Sequence, residues 1–504
     1  MDETANTSAV EKPDMKLFWA CFIALITTSF GFILRALTLP EWGAEFNLTN
    51  TQIGEIAGVG LWPFAISIVI FSLIIDKVGY KNAMIFAFVC HVVSAALTYF
   101  ATGYWSLYIA TFIVAIGNGT VEAVINPVVA TMFSKQKTKW LNILHAGWPG
   151  GLVVGGILAI MAGGETDWRL KMIFILIPTV LYGIMMFARK FPVNERVKAG
   201  VSYIDMLKEV GIIGALIVNA LIVFQIGSIF EWSDLTNIIV TLLVTGVFGF
   251  YVRSLGQPIF ILLILLMIPL ATTELGTDSW ISDLMAPEMR AIGIDAGWIL
   301  VYTSAIMMIL RFFAGQIVEK ITPLGLLAAC SAIACTGLLL LSSSTGIMVL
   351  VAATVFGLGK TFFWPTMLGV VSERFPKGGA LTLNITGGVG MMAAGVIGTV
   401  ILGFIQDTNI DKKIMEYDST NNSALYETYA TETKTSIFGN YQSIDIKKLA
   451  DSPEADKKAI GGIQEKAKKE ALTTVAIFPV IMLITYLFLI FYYKSRGGYK
   501  VVDL

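Results

Sequence analysis

Seven ionisable side chains stand inside long apolar stretches of this sequence: Arg35, His91, Glu122, Glu274, Asp278, Arg311 and Lys360. A charge at the centre of a membrane helix costs about 2.5–3.5 kcal/mol on insertion scales, so such groups face a partner or a wet cavity. Glu122 sits in IGNGTVEAVINPVVATMF, residues 116–133, with Asn126 and Pro127 one turn later. Desolvation opposes a carboxylate's charge and a nearby cation favours it. A carboxylate balanced between the two can exchange a proton whenever water reaches it. The alternative is a permanent ion pair that only fixes helix packing. His91, alone on an apolar helix, reads as a satisfied structural histidine. His145, in NILHAGWPGG, is placed to touch a cavity.

Aromatic and amide side chains accompany the charges. Phe363 and Trp364 follow Lys360 closely, and Trp148 and Trp280 lie on other helices. Indole stacks on the C–H face of a sugar, and the amides of Asn118, Asn126, Asn142, Asn384 and Gln225 could satisfy its hydroxyls. The glycines of GWPGGLVVGG and GGVGMMAAG serve close helix contact. Neither run follows a strand, and GxxxxGK[ST] is absent, so no nucleotide loop is expected. No nucleophile–base set or metal-ligand cluster argues for an enzyme, and no cofactor is implied. The four cysteines lie in apolar runs and give neither a disulfide framework nor a CxxC site.

The elements that must hold these residues are membrane helices. Of the 504 residues, 56% are hydrophobic and 14% charged, with mean hydropathy +0.75, against roughly a quarter charged in soluble proteins. A helix needs about 20 apolar residues to cross the hydrocarbon. Fourteen candidates lie near residues 17–39, 52–75, 83–101, 105–133, 141–163, 170–188, 210–230, 236–252, 257–280, 297–316, 323–342, 346–371, 380–405 and 472–493. These long continuous runs exclude a barrel of short alternating strands. With both termini in the cytoplasm, Lys77, Lys81, Lys135, Lys137, Lys139, Arg189, Lys190, Arg374, Lys377, Lys494 and Arg496 fall inside. The short outer loops carry only Arg169, Lys171 and Arg290, as the positive-inside rule requires. The net charge of −1 points to no nucleic-acid partner.

The chain also repeats itself. SLIIDKVGYK gives Ser72, Asp76, Lys77, Gly79 and Lys81, and GQIVEKITP gives Gly315, Glu319, Lys320 and Pro323. IGNGTVEAVINP matches FGLGKTFFWP: a G-x-G, an ionisable residue, then a proline. Asn142 and Asn384 follow at similar distances. The halves leave residues 210–252 over as two extra spans. The expected domains are a tail, 1–16; a six-helix bundle, 17–190; a linker with two extra helices, 191–256; a second bundle, 257–493, with a long external loop, 406–471; and a second tail, 494–504. Internal repeats of this kind build many transporters, with the substrate site at the repeat interface.

These residues resemble the major facilitator superfamily. The run from Ser72 to Lys81 resembles its loop signature between helices two and three, with Ser72 in place of a glycine. LTLPEWGAEFNLTNTQIGEI, the set Gly117, Gly119, Glu122, Asn126 and Pro127, and the set Glu274, Gly276 and Trp280 resemble the fucose permease-like branch of sugar–proton symporters. That branch's acidic residue four before the proline matching Pro40 is Ala36 here, which puts fucose itself and its coupling scheme in question. The resemblance implies an all-α polytopic membrane protein: two six-helix bundles and two extra central helices, about fourteen spans in all. It also implies that helices 1, 4, 7 and 10 of the twelve-helix core line the cavity. They carry Arg35, Glu122, Glu274 and Lys360, which suggests two opposed pairs, Arg35 with Glu122 and Lys360 with Glu274.

The expected function is proton-coupled symport of a sugar or similar solute by alternating access, in a monomeric unit of the plasma (inner) membrane. A carboxylate or sugar acid is the second substrate class, and a non-transporting membrane sensor the rival. The expected substrate and coupling set is Arg35, Glu122, Asn126, Glu274, Lys360, Trp364, Asn142, His145 and Asn384. The expected gating set is Asp76, Lys77, Gly79, Lys81, Arg311, Glu319 and Lys320. Asp278 reads as a residue facing outer water.

Overall fold

The computed structural model describes residues 13–48, 50–163, 166–294, 297–436 and 439–504. Most of the expected tail, residues 1–12, and the Trp280 side chain lie outside the described residues. The first half comprises α1 Met15–Glu45, α2 Gln52–Val78, α3 Tyr80–Tyr99, α4 Tyr104–Met132, α5 Lys137–Ala162 and α6 Trp168–Phe187. Two further helices follow, α7 Tyr203–Ile229 and α8 Asp234–Val252. The second half comprises α9 Pro258–Ser279, α10 Gly297–Arg311, α11 Ala314–Ser343, α12 Met348–Arg374, α13 beginning with Gly379–Met392, and α14 Glu454–Lys494. Each of the fourteen stretches read from the sequence falls on one of these helices. Among the described residues, twelve helices are long and apolar enough to cross a membrane, and α10 is a shorter apolar one.

The duplication is visible in the backbone. Three residues after Asp76, Gly79 has φ of 81°, and three residues after Glu319, Thr322 has φ of 64°. The break at Thr322 splits α11, so its first turns complete the span begun by α10 and Pro323 starts the next. The paired G-x-G runs each let helices cross closely. A Cβ on Gly119 would stand 2.1 Å from the Phe64 carbonyl oxygen of α2, and one on Gly359 would stand 2.3 Å from the Ala334 nitrogen of α11.

The two halves meet at the end that carries both termini. Lys137 of α5 donates to the Ser372 carbonyl of α12 at 3.2 Å. The Thr138 amide and hydroxyl both donate to Glu373, at 3.1 and 2.6 Å. The other carboxylate oxygen of Glu373 accepts from Tyr499 of the C-terminal segment at 2.8 Å. One level deeper, the Asn142 amide donates to Thr366 at 3.1 Å.

At the far end the structure departs from a long loop. Helix α13 continues through Thr399–Asn421, and α14 begins well before its apolar run. Between them lie an antiparallel hairpin, β1 Glu432–Ser436 and β2 Gly439–Ser443, and a small core that includes Ile410, Ile414, Leu425, Tyr429 and Ile460. Apolar residues spaced through the polar stretch 406–471 close this cap. It is fastened to the bundle by an ion pair between Lys469 and Glu288, and Glu288 also accepts the Gly346 amide at 2.9 Å.

Candidate functional site

Two cavities lie between the halves, stacked along the bundle axis and sharing Trp148, Leu275 and Met391. The inner one has about 20 Å³ of room and is lined by Glu122, His145, Glu274, Arg311 and Trp364 as well. The outer one, about 50 Å³, adds Phe32, Leu61, Leu300, Asp278 and Ser279. Spaces of this size hold one or a few waters, so the halves are closed around the site.

Prolines free the carbonyls that tie the helices together around the inner cavity. A proline within a helix has no N–H, so the carbonyl four residues earlier loses its partner. Pro127 frees the Ala123 carbonyl, which accepts the Asn384 amide of α13 at 3.0 Å. Pro149 frees the His145 carbonyl and Pro365 frees that of Thr361. Arg311 donates to both, each at 2.6 Å, through Nη1 and Nε. Its remaining nitrogen, Nη2, reaches Glu274 at 2.9 Å. The guanidinium therefore spans α5 of the first half and α9 and α12 of the second, with 1% of its surface exposed. Glu274 lies in a π-helical turn, Thr272–Gly276, packed against a second such turn, Ala393–Gly398. Its second carboxylate oxygen accepts the Trp364 amide at 3.3 Å.

Glu122 occupies the opposite wall. Its carboxylate accepts from Asn126 at 2.6 Å, and the Asn126 carbonyl faces His145 Nε2 at 2.9 Å. The facing atom is an acceptor, so His145 carries its proton on Nε2. A chain of hydrogen bonds thus runs from Glu122 through Asn126 and His145 toward Arg311 and Glu274. No cation among the described residues lies within ion-pair distance of Glu122, which is 4% exposed.

The structure regroups the expected pairs. Lys360, fully buried, pairs with Asp278, one turn outward of Glu274, so Asp278 is a half-buried ion-pair partner and does not simply face outer water. Glu274 takes Arg311, which is a cavity residue beyond the gating role expected for it. Arg35 does not meet Glu122. It lies about ten residues from the outer end of α1, whereas Glu122 lies about eighteen from the outer end of α4, a difference in depth of about 12 Å at 1.5 Å per residue. Arg35 is 5% exposed and has no hydrogen bond or ion pair among the described residues. Its guanidinium packs on Gly60, where a Cβ would stand 2.6 Å from Nη2.

Asn142 and Asn384 bond across the halves and do not line either cavity. His91 is satisfied by Tyr182 at 3.1 Å and Asn118 at 2.9 Å, which also occupies Asn118. In the gating set, Asp76 pairs with Arg196 of the short linker helix Glu195–Lys198. Lys77, Lys81, Glu319 and Lys320 form no ion pair among the described residues. Arg311's importance was signalled in sequence by Pro149 and Pro365, each of which leaves a buried carbonyl in need of a donor.

A duplicated bundle of long apolar helices with buried, paired charges between its halves is the build of a polytopic membrane protein. The chain belongs to the Major Facilitator Superfamily, whose family model matches residues 21–405. It is 26% identical over 179 residues to the gentisate transporter of Corynebacterium glutamicum, a match covering 35% of this chain and 40% of that protein. The hexuronate transporter of Bacillus subtilis is 22% identical over 407 residues, 77% of this chain and 86% of its own. The Escherichia coli fucose:proton symporter superposes with a TM-score of 0.57 at 15% identity, covering 92% of this chain and 98% of its own. The human organic anion transporter MFSD10 superposes at 0.63 and 10% identity, covering 94% and 100%.

Proposed function

We propose that the protein carries a small organic anion together with a proton by alternating access, across the plasma (inner) membrane with both termini cytoplasmic. The observation that carries this reading is the charge left over once the fixed pairs are matched. Arg311 with Glu274 and Lys360 with Asp278 are neutral together. Arg35 and Glu122 remain, each buried and without a counter-charge in contact. With Glu122 ionised the empty carrier is balanced. Binding an anion at Arg35 makes it negative until Glu122 takes a proton. Half-loaded states therefore carry a net charge that is costly in a low-dielectric interior, which ties anion and proton together.

Relatives named for gentisate, muconate and hexuronate transport support an organic acid. Fucose and xylose symporters among the fold neighbours keep the sugar expected from the sequence as the second reading, and Trp148 and Trp364 at the cavity favour it. Uptake of labelled acids and neutral sugars into proteoliposomes under an inward proton gradient separates the two. The account expects acid uptake that is lost in Arg35→Gln. It also expects that Glu122→Gln keeps exchange of internal for external acid but not gradient-driven accumulation. Sugar uptake indifferent to Arg35→Gln would contradict it.

A further inference from the structure

We infer that the transported anion has an aromatic body, held against Trp148 and Phe32 while its carboxylate is drawn to Arg35. The inference rests on the anion reading above and concerns the outer cavity. Its walls are apolar: Phe32, Leu61, Trp148, Leu275 and Leu300 all face it. The Phe32 and Trp148 ring centroids are 6.2 Å apart at an interplanar angle of 42°, an angled apolar wall that a planar ring can cover by edge and offset contacts.

The polar groups of that cavity are already used. Asp278 is engaged by Lys360, and the Ser279 hydroxyl donates to the Gly276 carbonyl at 2.7 Å. Three of the amides that could serve sugar hydroxyls are occupied elsewhere: Asn118 by His91, Asn126 by Glu122 and His145, and Asn142 by Thr366. Polyhydroxylated solutes would leave several hydroxyls dry, and an unpaired buried hydroxyl is costly. A flat apolar body loses nothing there.

Arg35 lies just behind this cavity's lining: it is three residues outward of Phe32 on α1, and its guanidinium packs on Gly60, the residue before Leu61. Charge anchor and apolar wall are therefore adjacent.

The test is competition binding to the purified, full-length transporter, with labelled benzoate displaced by unlabelled benzoate, cyclohexanecarboxylate, glucuronate and glucose. The expected result is benzoate bound about tenfold or more tightly than glucuronate, and glucose not bound. Trp148→Ala should weaken benzoate about tenfold and leave glucuronate unchanged, whereas Trp148→Phe should retain most of the affinity. Arg35→Gln should lose both acids. Glucuronate binding as tightly as benzoate, yet lost in Arg35→Gln, would overturn the aromatic body and spare the anion reading. Glucose binding that survives Arg35→Gln would overturn the anion reading itself. If Trp148→Ala does not fold, the wild-type ratio of benzoate to glucuronate decides alone.

Discussion

The Arg311–Glu274 pair offers a sharp test of how the inner cavity is held together. At an effective dielectric of about 20, unit charges 2.9 Å apart attract by about 6 kcal/mol. Desolvating two ions takes back several kcal/mol each, so the pair as a whole adds little net stability. Removing one partner is different, because it strands the other charge in a site with 1–2% exposure. Breaking a buried pair this way costs about 3–5 kcal/mol. Glu274→Gln and Arg311→Gln should each lower the apparent melting temperature in detergent by roughly 3–5 °C, at about 1 °C per kcal/mol for a chain of this length. The double substitution removes both charges. It should fall by clearly less than the sum of the singles, with a coupling energy of about 2–3 kcal/mol. The proline-freed carbonyls of His145 and Thr361 keep an amide donor in reach in the double variant, which limits its loss. Melting shifts that simply add would refute the argument that Glu274 is the counter-charge on which Arg311 depends.

Three further outcomes follow. Gly60→Ala places a methyl 2.6 Å from Arg35 Nη2 and 2.9 Å from Cζ, so it should push the guanidinium aside and weaken acid binding about tenfold while the melting temperature stays within a few degrees; unchanged affinity would remove Arg35 from the site. In the cap, burial, with Asp407 adding to it, pushes the Asp411 carboxyl up to about 6 against the opposing Gln442 N–H. The folded cap then holds that proton more tightly than the unfolded chain, so cap stability should fall as pH rises from about 4 through 6. Asp411→Asn keeps the acceptor for Gln442 and should flatten the dependence, read by hydrogen exchange of the cap at pH 5 and 7.5; an unaltered slope would assign it elsewhere. A cysteine at exposed Asp451 should react with an impermeant thiol reagent added outside, and one at exposed Lys198 should not; the reverse would invert the topology.

The helices were legible because a membrane span is a long local signal. Twelve of the apolar runs fall, among the described residues, on helices as long as a bilayer demands, and a repeated acid, lysine and turn betrayed the duplication. The cap was missed because its core is made of isolated residues such as Ile410, Tyr429 and Ile460, whose spacing is hidden in a polar stretch. At the site, the buried ionisable residues were visible one by one, since each is anomalous in an apolar run. Their pairing was not. Asp278 and Glu274 lie one turn apart on α9, and sequence alone does not say which cation reaches which turn. The partners of the amides were hidden for a similar reason: Asn142 and Asn384 are drawn to Thr366 and to a carbonyl freed by Pro127, more than two hundred residues away. Pro365 was read as a mark of the repeat, yet its missing N–H, with that of Pro149, fixes where Arg311 docks.

The central claim is that an anion at Arg35 and a proton on Glu122 move as one neutral load. It is tested most directly by measuring acid uptake into proteoliposomes while the pH gradient and the membrane potential are imposed separately, the latter with potassium and valinomycin. A monoanion carried with one proton moves no net charge, so the account predicts uptake driven by the pH gradient and indifferent to the potential, and predicts that Glu122→Gln retains only exchange. Uptake driven by an inside-negative potential, as for a neutral solute carried with a proton, would contradict it.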